Sequence, residues 1–183
     1  MKSTMRLGSL GLAIFALALF ALPLSAQQDK SQRPSPPANA QFTFPDGKTL
    51  KMDYSSPRMK GRKIYGDLVP YGQVWRVGAN EATTFVTDTD LMVGDKQVPA
   101  GSYTIFAIPE EGEWTLIISK KTGEWGIPYP GEQFDFARTA MKVQKLDSPM
   151  ENFTITLVKA GDGCSMNFDW DRTRATIEIR EKK

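Results

Sequence analysis

Trp75, Arg76, Asn80 and Glu81 fall within the run Val69 to Thr84, VPYGQVWRVGANEATT, together with Tyr71, Gly72 and Gly78. A flat apolar ring, a permanent cation, an amide and a carboxylate are poor core material, and they are the parts from which a polar-ligand site is assembled. If the chain is extended at Trp75, Arg76 points to the face opposite Trp75 and Val77. A turn at Gly78-Ala79 then returns Asn80 or Glu81 toward Arg76, where an amide or carboxylate would fix the planar guanidinium. Two readings stay open: a ligand site in which Arg76 and Asn80 hold a polar group beside an aromatic ring, or a structural ion pair at a corner between strands.

Three other groups have the composition for chemistry. Ser55 to Lys63 carries Arg58, Lys60, Arg62 and Lys63 behind two serines, so it reads either as an anion cradle with Arg62 in the site or as a solvated loop. Trp125 lies in the Pro- and Gly-rich segment Gly123 to Gly131, where an aromatic either stacks on a sugar ring or pins the loop to the core. Glu81 is the carboxylate embedded in the motif, and Asp53, Asp67 and Glu124 are candidate partners for a glycosidase pair whose separation the sequence does not set.

The chain has no histidine. That excludes Ser-His-Asp and Cys-His catalysis, His-ligated zinc and haem with a histidine ligand. Any enzyme built from it works with carboxylates, Lys, Tyr, Ser or a hard metal on oxygen. No residue is nominated as catalytic or as a metal ligand, and no cofactor is expected. Cys164 has no second cysteine to pair with, so it is expected to be a buried, inert residue.

Residues 1–26 place Lys2 and Arg6 before an apolar run from Leu7 to Leu22 and end in Ser25-Ala26. This is the pattern of a cleaved secretory signal peptide, with a run short of the ~20 residues needed to span a bilayer. The expected destination is the periplasm or the cell exterior, with no membrane span after cleavage. Removal of two cations and no anions would leave 21 of each in 157 residues. A neutral chain has no general electrostatic reason to bind nucleic acid.

Gln27 to Ala40 is rich in Pro, Gln and Ser without hydrophobic periodicity, and is expected to be a disordered linker. Beyond it the dominant period is two. Leu50, Met52 and Tyr54 alternate with polar neighbours, as do Ala175, Ile177 and Ile179, whereas Tyr103 to Ile108 and Trp114 to Ile118 suit central strands covered on both faces. LMVGDKQV (91–98) reads as a hairpin. Roughly ten short strands separated by Gly- and Pro-rich turns predict a single all-β domain over 41–183, an antiparallel β-sandwich or jelly-roll-like barrel. Trp114 is expected in its core.

The runs YSSPRMKGRKIYGDLVPYGQVWRVGANEATT, VPAGSYTIFAIP, EWTLIIS and EWG, in that order, resemble the bacterial family catalogued as domain of unknown function 2911. The resemblance covers about Leu50 to Trp125, with continuation toward the C-terminus. Val77 stands where the family pattern has threonine. The resemblance implies an exported bacterial β-domain and brings no activity, ligand or catalytic residue with it.

The sequence therefore favours an exported, non-catalytic binding module. Its ligand would be small and polar or carbohydrate-like, held by Arg76, Asn80, Glu81, Trp75, Trp125 and Arg62. The alternatives are a His-free, glycosidase-like hydrolase using Glu81 and a structural cell-envelope interaction protein.

Overall fold

The computed structural model describes residues 29–183; the signal-peptide reading of 1–26 lies outside them. Nine strands are present among these residues: β1 Pro37–Thr43, β2 Thr49–Ser55, β3 Thr84–Thr87, β4 Leu91–Val93, β5 Lys96–Val98, β6 Gly101–Ile108, β7 Glu113–Ser119, β8 Asp135–Ala160 and β9 Gly163–Glu181. They form one antiparallel sheet in the order β1-β2-β3-β6-β7-β8-β9-β4-β5. The all-β antiparallel expectation holds, as does the 91–98 hairpin, in which Leu91 faces Val98.

The alternation of the sequence is the alternation of burial. Leu50, Met52 and Tyr54 point inward from β2, and Ala175, Ile177 and Ile179 do so from β9. β6 and β7 are apolar on both faces because each is covered twice. Ile105, Trp114 and Ile118 enter the main core, while Phe106 and Ile117 form a second, smaller cluster with Ala82 on the other side.

β9 is not a straight ribbon. Arg174 donates to Asp169, Thr176 to Asn167, and Ser165 to Glu178 across only 2.6 Å, although thirteen extended residues would separate the last pair by about 43 Å. The strand must therefore turn back at Asp171, which has φ +51°. The turn also shifts the inward parity from Cys164, Met166, Phe168 and Trp170 to Ala175, Ile177 and Ile179. β8 follows, with register shifts between Lys145 and Thr154.

This folding carries the second half of β8 to the far end of the sheet. The Phe153 N–H donates to the Pro57 carbonyl at 2.9 Å, and the Ile155 N–H donates to the Tyr54 hydroxyl at 3.1 Å. The sheet thus curls over its own apolar face.

The linker expected over residues 27–40 needs correction within the described part. Pro37 to Ala40 pair with Ser55 to Met52 as the first half of β1. Lys30–Gln32 forms a 3-10 turn capped by the Asp29 side chain. Polar composition hid this segment because its strand is an edge strand, which leaves much of its surface in water and needs little apolar material.

Candidate functional site

Trp75 is pinned to β6 by two backbone hydrogen bonds with Ala107, at 2.7 and 2.8 Å. Its ring turns inward and lies nearly parallel to Trp170, with centroids 6.2 Å apart, and meets Phe153 and Trp114 edge-on. Tyr65 joins this aromatic group, and its buried hydroxyl has no hydrogen-bond partner among the described residues. Burial, with Asp171 and Asp169 adding to it, raises that phenol well above its ordinary pKa.

Arg76 leaves the opposite face, as alternation requires. Its Nη1 donates to the Asn80 carbonyl and, at 3.0 Å, to the Trp125 carbonyl; the Trp125 ring centre lies 5.5 Å from the guanidinium carbon. Loss of hydration lowers the Arg76 pKa, and Glu81 works against that shift through space.

The chain between Arg76 and Glu81 turns through unusual backbone. Val77 has φ +54° and Asn80 φ +56°, a left-handed conformation that is particularly unfavourable for a β-branched residue. Gly78 fits because a Cβ there would sit 2.9 Å from the Ser55 carbonyl oxygen. The Thr83 hydroxyl donates to the Val77 carbonyl and closes the turn.

This turn directs the side chains of Asn80 and Glu81 away from the guanidinium, while the Asn80 carbonyl stays bonded to it. The expected pairing of Glu81 with Arg76 is not formed. Instead, both Glu81 carboxylate oxygens accept from Arg33 Nη1, at 3.1 and 2.8 Å, and Lys30 Nζ lies 3.0 Å from Oε1. The carboxyl is held at about 2, first by its own backbone N–H, with burial next in size and opposing it and with Lys30 and Arg33 adding to the depression. The Asn80 side-chain amide donates to the Ser35 carbonyl at 2.9 Å. Glu81 lines a separate small hollow with Asp53 and Lys30.

The remaining predicted residues do converge. Trp75, Arg76 and Arg62 line a cleft of about 340 Å³ whose other walls include Leu68, Ile127 and Trp170. A second hollow of about 300 Å³ continues from it, sharing Leu68, Val69, Trp75, Arg76 and Ile127 and reaching Gln73 and Tyr129. Arg62 is oriented by its own loop, donating to the Met59 carbonyl at 3.0 Å and the Arg58 carbonyl at 2.6 Å. Trp125 stacks behind the guanidinium, outside the residues that line either hollow.

Neither hollow is lined by an acidic side chain. Among the described residues no carboxylate lies within ion-pair distance of Arg62 or Arg76. No group of three or more acidic or thiol side chains suitable for a metal ion occurs among them either.

Sequence reasoning missed Leu68, Ile127 and Trp170. Ile127 is 65% exposed and Leu68 43%, and their signal was present as large apolar residues inside Gly- and Pro-rich segments. Trp170 gave no such signal, since it continues the inward alternation of β9.

A model of one protein family matches residues 35–179, most of the chain and all nine strands at least in part. The chain belongs to the family described as protein of unknown function DUF2911. No curated protein and no solved structure matches it. The DUF2911 span opens at Ser35, the residue that accepts from Asn80, and closes at Ile179, which pairs with Val93. It therefore includes every residue of the cleft, while Arg33 and Lys30, which hold Glu81, precede it.

Proposed function

We propose that this DUF2911 chain is a non-catalytic binding module whose cleft at Arg76 takes a small polar or carbohydrate-like ligand. One observation carries the reading: Arg76 is oriented by two backbone carbonyls at the edge of an apolar cleft and, among the described residues, forms no direct ion pair with a carboxylate. A guanidinium held in this way is organised before a ligand arrives, so little ordering entropy is lost on binding. The hydrolase alternative loses Glu81 as its acid and keeps it only for the nucleophile or base role. A carboxylate held at about 2 and bonded to two cations stays ionised near neutrality and has no proton to donate as a glycosidase acid.

Export belongs to the same reading and rests on the signal-like residues 1–26. Mass spectrometry of the protein from its native host should find the N-terminus at Gln27.

The binding reading is tested by thermal shift of the purified protein against neutral saccharides, organic anions and polyols, with Arg76→Gln in parallel. A ligand specific to the folded state raises the melting temperature of the wild type and fails to do so in the variant. If no compound shifts either protein, the binding reading falls.

A further inference from the structure

We infer that the ligand of this cleft is an amphiphilic monocarboxylate, an apolar body of modest length ending in one carboxylate. The inference rests on the binding reading above and gives its chemical class. Arg62 and Arg76 are the charged groups lining the main hollow, and its apolar walls come from Leu68, Val69, Trp75, Ile127 and Trp170. The continuing hollow adds no charge beyond Arg76. A neutral sugar would leave both cations without a counter-charge and set its hydroxyls against aliphatic walls. A carboxylate instead matches the guanidinium fork, and an alkyl or aryl body matches the walls.

The geometry also favours an apolar body. Ile127 and Leu68, both exposed, stand on the wall common to the two hollows, so an apolar body reaching between them removes surface that otherwise stays in water. Octanoate and 3-phenylpropionate are small compounds of this class, each carrying one carboxylate on an apolar body. Arg76 Nη1 is occupied by the carbonyls of Asn80 and Trp125, which leaves Nε and Nη2 to the ligand.

The test is titration of the full-length protein with octanoate, 3-phenylpropionate, their neutral alcohol counterparts 1-octanol and 3-phenylpropanol, and N-acetylglucosamine. Tryptophan emission reports binding because Trp75 and Trp170 line the cleft, and calorimetry gives the dissociation constants. At least one carboxylate should bind about ten- to a hundred-fold more tightly than its alcohol, the range of a charge-assisted contact. Arg76→Gln and Arg62→Met, each with its fold checked by circular dichroism, should reduce that ratio to near one. Equal affinity for acid and alcohol, or a ratio unchanged in both variants, overturns the inference. If N-acetylglucosamine binds and neither carboxylate does, the inference fails while the binding reading stands; if nothing binds here or in the thermal-shift screen, both fail.

Discussion

Arg76 holds Trp125 at two points, donating to its carbonyl at 3.0 Å while its guanidinium carbon lies 5.5 Å from the ring centre. A residue of the Val69–Thr84 motif thereby ties down the loop that carries Ile127, and the exposed wall of the cleft depends on a cation beneath it. The guanidinium organises the loop as well as lining the cleft.

Arg76→Ala should destabilise the protein by about 1.5–2.5 kcal/mol, the lower part of the sum expected for two hydrogen bonds and one partly exposed cation–π contact. It should not approach the roughly 3–5 kcal/mol that follows from stranding a buried ion-pair partner, because Glu81 keeps Arg33 and Lys30. Urea unfolding of Arg76→Ala, Glu81→Gln and the double variant should show additive losses within about 0.5 kcal/mol. Recovery of stability in the double variant would show that the two residues are coupled after all.

Glu81 makes a prediction in pH. Its carboxyl is depressed to about 2 in the folded chain, against about 4.3 when unfolded. A depressed acid adds stability above its unfolded pKa and loses it as pH falls through the folded value. The stability gap between wild type and Glu81→Gln should therefore be full at pH 6, shrink below about pH 4 and close near pH 2. Since the side chain is 41% exposed, the gap should also narrow in high salt. A gap that persists unchanged at pH 2 would refute the assignment.

Deleting residues 1–40 should lower the melting temperature by more than about 5 °C relative to a chain beginning at Asp29. The deletion removes the ladder from Pro37 to Ala40, the Asn80–Ser35 hydrogen bond and both cations on Glu81. Differential scanning calorimetry of the two proteins measures it, and equal midpoints would restore the picture of a free linker.

Gly126 and Cys164 give two checks on packing. A Cβ at Gly126 would lie 2.8 Å from the Ala82 Cβ and 3.0 Å from the Arg76 Cβ, at φ +83°. Gly126→Ala should consequently free the loop and weaken any cleft ligand more than it lowers stability. Cys164 is fully buried and its thiol is pushed up to about 12 by burial, with Glu178 adding to it. Ellman's reagent should react with it at the rate of unfolding, and a fast reaction in native buffer would contradict that.

The period-two alternation was enough to determine which side chains of β2 and of the second half of β9 face inward, because side-chain direction in a strand is a local property of the backbone. For the same reason the opposite orientation of Trp75 and Arg76 was legible from their adjacency, while which of them faces the core was not. The partner of Arg76 was not legible. Proximity along the chain favoured Glu81, but positive φ at Val77 and Asn80 turns that carboxylate toward Arg33, forty-eight residues away, and leaves the guanidinium to the carbonyl of Trp125, forty-nine away. The cleft has the same origin: Arg62, Leu68, Arg76, Ile127 and Trp170 come from separate segments, joined only after β9 folds back and carries Trp170 behind Trp75. Alternation is decided residue by residue, whereas the pairing of charges depends on which distant segments the buried core brings within a few ångströms, where Coulomb and hydrogen-bond energies become appreciable.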